Sequence, residues 1–160
     1  MKFFEDMRVG ERTELGRHTF TAEEIKAFAT RFDPQPFHVD EAAAARSHFG
    51  ALCASGWHTT AMFMRFLVEA ERRETEEQIA RGEPAAESGP SPGIRELRWL
   101  KPVYVGDTIT FAREIKELRG LPHRPAWGLM VALNTGTNQK GGLVLSFLGA
   151  KFAERRKGRS

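Results

Sequence analysis

The stretch Phe32-Asp33-Pro34-Gln35-Pro36-Phe37-His38-Val39-Asp40 decides how the rest of the chain is read. After it come an alanine-rich turn, His48-Phe49-Gly50, and Ala54-Ser55-Gly56-Trp57. Asp33 and His38 stand five residues apart, with Pro34 and Pro36 between them. In a helix, positions i and i+5 lie roughly 140° apart, on different faces. The prolines work against such a helix, because each fixes its own φ and pushes the preceding residue toward extended geometry. The spacing therefore predicts a stiff loop that aims a carboxylate and an imidazole at one point. That pair suits general acid–base work on a water molecule near neutral pH. Asp-Pro and Gln-Pro are also ordinary turn chemistry, so the pair alone does not decide between catalysis and structure.

Working outward, Phe3 to Arg17 hold a turn at Gly10 and a short strand over Arg12 to Thr19. Thr21-Ala22-Glu23-Glu24 reads as a capping box, with Phe20 and Ile25 placed as a hydrophobic staple. A short helix from Ala22 to Thr30 then feeds into Asp33. Asp40 is placed to cap a second short helix, Glu41 to Ser47, and Ser55 to cap the main one. Ala61 to Val68 is apolar nearly all round, which predicts a helix buried on most sides. Met62 and Met64 fit there as packing residues. From Glu69 onward the pattern is charged, so the helix leaves the core.

Residues 80–93 are rich in Pro, Gly, Ser, Glu and Ala, and the span 76–93 is expected to be a mobile connection. The remainder reads as strands: Ile94 to Lys101 ending at Pro102, a turn at Gly106-Asp107, and the alternating Thr108 to Ile115. Trp127 to Leu133 follows, then a turn-rich Asn134 to Gly142, then Leu143 to Phe152 closing the sheet. These elements make an α+β domain spanning 1–160.

Composition narrows the partners. The chain has 160 residues, 41% hydrophobic and 28% charged, with a formal net charge of +3. That is an ordinary globular balance. No apolar run approaches the roughly 20 residues needed to span a membrane. Much of the positive excess lies in the tail 154–160, read as a solvated end, since no nucleic-acid motif or stacking aromatics accompany it. The single cysteine and the acidic Met1 to Asp6, which lacks a signal-peptide core, fit a cytoplasmic protein.

The stretch Asp33-Pro34-Gln35-Pro36-Phe37-His38, with Ala44 beyond it, resembles the Asp-x-Asn-Pro-x-His signature of the MaoC-like (R)-specific enoyl-CoA hydratases. Phe28-Ala29, Phe49-Gly50 and Ala54-x-Gly56 fit that family's order. Leu100-Lys101-Pro102-Val103-x-Val105-Gly106-Asp107-Thr108 is similar to its Lys-Pro-Val-x-x-Gly-Asp element. Two positions depart: Gln35 stands for the family's Asn, and Ala54-Ser55-Gly56-Trp57 for its Ala-His-Gly-Met, with His58 three positions beyond Ser55. The resemblance implies a hotdog fold, an antiparallel sheet wrapped around one long buried helix. It implies hydration or dehydration of an enoyl thioester, the substrate carried on coenzyme A or an acyl carrier protein. No separate cofactor is expected, and a homodimer, or a dimer of such dimers, is.

Under that reading Asp33 and His38 act on the water. Gly56, at the start of the main helix, donates its N–H to the thioester oxygen. Ser55, Trp57, Gln35 and His58 border the substrate. Trp57 either walls the acyl pocket or packs beneath the helix, and with Gln35 it hints at a short, branched or dicarboxylic acyl group. Two rivals share the fold: a thioesterase attacking the carbonyl carbon, and an acyl-binding protein without turnover. Cys53 reads as a small buried hydrophobe. His18, His48, His58 and His123 form no pair at metal-ligand spacing, so no metal is expected. Phosphate-binding glycine patterns and a serine-hydrolase elbow are absent from the sequence.

Overall fold

A computed structural model describes residues 1–156, and these form one five-stranded sheet with a long helix laid against it. The strands are β1 (Arg12–Thr19), β2 (Gly93–Trp99), β3 (Thr108–Gly120), β4 (Trp127–Asn138) and β5 (Leu143–Glu154). Their order is β1-β3-β4-β5-β2, every neighbouring pair antiparallel. β3, β4 and β5 are successive hairpin partners, and the two strands met earlier in the chain take the edges. The expectation that Leu143 to Phe152 closes the sheet is thus corrected: β5 is interior and β2 lies outside it.

β4 also runs further than its turn-like residues indicate. Asn134 to Asn138 pair with β3 and β5, leaving only 139–142 as the turn. Thr135 and Thr137 favour a strand. Gly136 is needed for space, since a Cβ there would meet Ile109, Phe111 and Leu145 at 3.1–3.3 Å.

The helices are α1 (Ala22–Phe32), α2 (Pro36–Val39), α3 (Glu41–Ala45) and α4 (Gly56–Ala80). The Thr21 hydroxyl accepts from the Glu24 N–H at 3.3 Å, but the Glu24 carboxylate turns to the His18 ring instead of closing the box. Phe20 and Ile25 are fully buried. The predicted loop after Asp33 is half helix. Pro36 occupies the first position of α2, where its missing N–H has no helical partner to lose. The Asp40 carboxylate caps α3 by accepting from Ala43 N–H at 2.6 Å.

α4 lies against the concave side of the sheet. Phe63 packs edge-on to Phe111 and Phe147, and Phe66 stands over Gly16, whose missing side chain makes room for the ring at the bulge in β1. Phe20, Phe63, Phe111, Ile25, Ile109 and Leu145 form the dry centre of the core. Burying each such side chain is worth about 1.5–3 kcal/mol. The outer face departs from the expected burial on most sides. Trp57, Met64 and Val68 are 54%, 46% and 58% exposed, and Ala61 joins them on one stripe. One sheet covers one side of a helix, and none of the described residues covers this stripe on the other.

Residues 76–80, expected in the mobile connection, complete α4. The rest of 76–93 runs beside β5: Ala86 is buried with its N–H on the Met1 carbonyl, Ser88 bridges to Ala153, and Pro90 accepts from Phe152. At the other terminus, Arg155 and Arg156 are not simply solvated, because they pair with Glu5 and Asp6. Residues 157–160 of the expected basic tail lie outside the described residues.

Candidate active site

α1 ends where Pro34 forbids another turn, and Asp33 becomes its C-cap with φ −156° and ψ 68°. α2 then carries His38 back toward the carboxylate. His38 Nε2 stands 3.6 Å from Asp33 Oδ2. This is too long for a direct hydrogen bond. An oxygen about 2.8 Å from each would close a triangle over the gap.

Each partner is held from behind. His38 Nδ1 lies 2.7 Å from the Cys53 carbonyl oxygen. A carbonyl can only accept, so Nδ1 carries a hydrogen, and in the neutral ring Nε2 presents its lone pair toward Asp33. That carbonyl is itself fixed, since Cys53 bridges to Tyr104 and Ala54 N–H donates to Val103 at 2.8 Å. Asp33 Oδ1 accepts from Gln35 Nε2 at 2.8 Å, and Oδ2 from the Ser55 hydroxyl at 2.6 Å. Burial by itself raises the Asp33 pKa. The bonds from Ser55 and Gln35 and the nearby His38 outweigh burial and hold the carboxyl below its ordinary value. Asp33 is therefore ionised at neutral pH, and each oxygen keeps a further lone pair.

Ser55 has a second duty. Its oxygen accepts the Trp57 N–H at 3.2 Å, capping α4. The free N–H groups of a helix's first turn form its positive end. Gly56 brings that end into a cavity of about 410 Å³, which Asp33, Gln35, His38, Ser55 and Trp57 also line. A Cβ on Gly56 would run into the Trp99 indole, so the glycine makes room for that side chain rather than for open approach of a ligand. The Trp99 indole N–H donates to Thr60 Oγ1 at 3.1 Å, which in turn donates to the Gly56 carbonyl at 2.9 Å. Trp57 meets the same indole edge-on, with ring centroids 4.9 Å apart. It stands at the cavity wall and not beneath the helix.

Six of the seven expected residues are thus brought together. His58 is not: its helical position turns it inward, 5% exposed and stacked on Phe28 at 4.5 Å. Burial pushes its pKa down to about 4. Cys53 contributes its carbonyl rather than its thiol, whose pKa burial pushes up to about 11. Trp99 was the residue missed. Its signal was its place two residues before Lys101-Pro102.

A sheet wrapped on one long helix defines a hotdog-fold protein, and this one holds a carboxylate and an imidazole at that helix's N-terminus. Residues 6–122 match the family described as MaoC like domain, and the chain belongs to that family. The MaoC-like dehydratase from Rhodospirillum rubrum is 37% identical with a TM-score of 0.84, over 98% of this chain and 99% of that one. The uncharacterized protein YdeM of Bacillus subtilis (strain 168) is 27% identical over 136 residues, 85% of this chain and 87% of that protein. The (R)-hydratase from A. caviae involved in PHA biosynthesis has a TM-score of 0.67 over 92% of this chain and 97% of that one. At its 22% identity the likeness is one of fold.

Proposed function

We propose that the protein adds water to, or removes it from, the C2–C3 double bond of an enoyl thioester carried on coenzyme A or an acyl carrier protein. The observation that carries this reading is the open Asp33–His38 pair. An ionised carboxylate and an imidazole lone pair lie 3.6 Å apart, each held from behind, at the mouth of the α4 N-terminus. The thioester oxygen accepts from Gly56 N–H, so the carbonyl draws electrons from C3. One donor of that kind is worth about 3–4 kcal/mol in the transition state. A water held by Asp33 and His38 gives up a proton to the pair, and its oxygen bonds to C3. The C2–C3 π electrons move toward the thioester, and the pair returns the proton to C2. The pair ends as it began, so the same steps run backward as dehydration. Asp33 and His38 titrate together, and the proton belongs to both.

The working unit in this reading is a homodimer, or a dimer of such dimers. Two features support it: β2 is an exposed sheet edge, and the stripe Trp57, Met64, Val68 on α4 lies bare beside the cavity. Covering both suits an obligate interface, which commonly exceeds about 2,000 Å². Light scattering at micromolar concentration should give at least twice the chain mass, and a monomer would refute the assembly.

The deciding assay follows crotonyl-CoA by loss of enoyl absorbance alongside release of free thiol. Hydration should consume the enoyl group without thiol, and Asp33→Asn and His38→Ala should each slow it by about two or more powers of ten. Thiol release would make the protein a thioesterase. Binding without turnover would make it a non-catalytic acyl-thioester-binding protein, and Asp33 a structural residue.

A further inference from the structure

Of the residues lining the reaction cavity, two carry a full charge: Asp33, which the proposed chemistry uses, and Lys101, which it does not. Lys101 is launched from a fixed point. The Leu100 N–H before it donates to the Val144 carbonyl at 2.9 Å, and Pro102 after it has a locked φ. Val144 lines the cavity, and Gly142 lies two residues away toward the β4–β5 turn, about 7 Å in extended chain. The Lys101 ammonium rests over Gly142, where a Cβ would come within 3.1 Å of Nζ. Lys101 is exposed, so its charge stands at the rim of the cavity.

No carboxylate answers that charge. Lys2, Lys26, Lys116 and Lys151 each pair with a glutamate. Lys101 and Lys140 have no such partner among the described residues, and both stand at this turn. The acid bonded to the turn, Asp107, is already engaged: its carboxylate accepts from Gln139 Nε2 at 2.6 Å and from the Tyr104 N–H at 2.9 Å. A second donor approaches the same place. Asn138 Oδ1 accepts from the N–H groups of Lys140 and Gly142 at 3.1 and 2.8 Å, which fixes the orientation of the amide and engages both of its oxygen lone pairs. Asn138 Nδ2 is left over, 3.2 Å from the position over Gly142 that Lys101 Nζ also approaches. An ammonium and an amide N–H thus converge at the rim.

We propose that Lys101 and the Asn138 amide bind the phosphate that ends the pantetheine arm of the thioester. The proposal rests on the enoyl-thioester reading above. Two donors with no acceptor to spare call for an anion with several oxygens, and a lysine serves a phosphate as a point charge. That phosphate is common to coenzyme A and to an acyl carrier protein. The position also suits it. The cavity's apolar walls, Phe37, Phe49, Val103 and Trp57, suit the acyl group, and the arm leaves across the charged rim. Lys101 then fixes which way round the thioester lies.

The test compares the crotonyl thioesters of coenzyme A, of phosphopantetheine and of unphosphorylated pantetheine, on the wild-type protein, Lys101→Met and Lys101→Arg. In the wild type the two phosphorylated substrates should share a kcat/KM at least about tenfold above the third, through KM and not kcat. Added salt should shrink that advantage. Lys101→Met should bring both phosphorylated substrates down toward the pantetheine thioester, and Lys101→Arg, which keeps the charge, should retain most of the difference. Equal kcat/KM for all three in the wild type, a measurement that needs no variant, would overturn the inference. An advantage confined to coenzyme A would overturn it in favour of the nucleotide, and one that survives Lys101→Met would place the phosphate elsewhere. Glutaconyl-CoA preferred to crotonyl-CoA, with the preference lost in Lys101→Met, would overturn it in favour of a carboxylate on the acyl group. Turnover of the pantetheine thioester in any of these cases would leave the hydratase reading standing. No turnover of any thioester would sink that reading and this one together.

Discussion

Two carboxylates lean on α4, and they are treated in opposite ways. Asp33, at the helix's N-terminus, is met by two neutral donors, and the His38 imidazole stands off at 3.6 Å. Glu71, on the far half of the helix, is gripped at 2.9 and 2.6 Å by a guanidinium and an ammonium. The two side chains are similarly hidden, at 19% and 12% exposure. Burial alone therefore does not tell the two apart; on the proposed function Asp33 is the one that reacts. Glu71 is saturated by full charges and has nothing to offer a substrate proton. Asp33 is oriented by dipoles, kept ionised, and left with room for one more partner.

The sharpest way to break the contrast is to exchange the consequences. Asp33→Asn keeps the shape and removes the base, so turnover should drop by about two to four powers of ten with little change in thermal stability. Glu71→Gln should do the reverse. It strands Arg113 and Lys151 without their counter-charge, at about 3–5 kcal/mol in chemical denaturation, while kcat on crotonyl-CoA per folded molecule stays near wild type. A Glu71 variant as stable as the parent would mean that water already screens the cluster.

His58 extends the comparison to a buried group with no carboxylate bonded to it. Burial depresses its pKa from 6.5 to about 4, with Glu24 opposing that shift and His18 adding to it. The unfolded chain takes up a proton near pH 6.5, and the folded one resists until about pH 4. Stability is thus full above pH 6.5 and drains as pH falls to about 4, by roughly 3 kcal/mol. His58→Phe, which keeps a ring against Phe28, should flatten that limb of the stability–pH curve. An unchanged limb would assign it to the carboxylates.

Ser55→Ala tests whether dipoles hold Asp33. It should cost about 1 kcal/mol as a lost cap. It should also move the acid limb of the kcat/KM profile to higher pH, because a bond lowering the Asp33 pKa is gone. A cap-sized loss of stability with an unmoved limb would leave Gln35 as the group that sets it. The smallest effect belongs to Trp57→Met. Opening the wall beside Gly56 should shift preference toward longer linear chains by about tenfold in relative kcat/KM. Superimposable chain-length profiles would hand that selectivity to Trp99.

The reaction end was legible because its logic is local. Two prolines, a carboxylate and an imidazole within six residues constrain one another, and Ser55 announces a cap. Pro36 misled only in degree, since a residue that breaks a helix interior also begins one. The far end was not legible. Asn134 and Arg113 are paired across two strands, and Glu71 reaches Arg113 from α4, contacts that no spacing along the chain encodes. Asn134 even pointed to a turn, because Asn beside Thr and Gly reads as turn chemistry until the neighbouring strands are in place. Trp99 and the bare stripe on α4 failed for a related reason. The apolar pattern of Ala61 to Val68 states that a surface is to be covered, and not whether the same chain covers it.

The indoles at the cavity wall have an optical consequence. The chain carries three tryptophans, and two of them, Trp57 and Trp99, touch at 4.9 Å beside Gly56. Their rings meet at 76°, close enough for the excited states to couple and give a paired circular-dichroism band that an isolated indole lacks. Trp127 begins β4, away from that cavity, and supplies a constant background. On the proposed function, a thioester lying against Gly56 would displace water from both rings at once. Occupancy of the site is therefore written into the protein's own emission and ellipticity, readable during a titration without a label or a turnover assay.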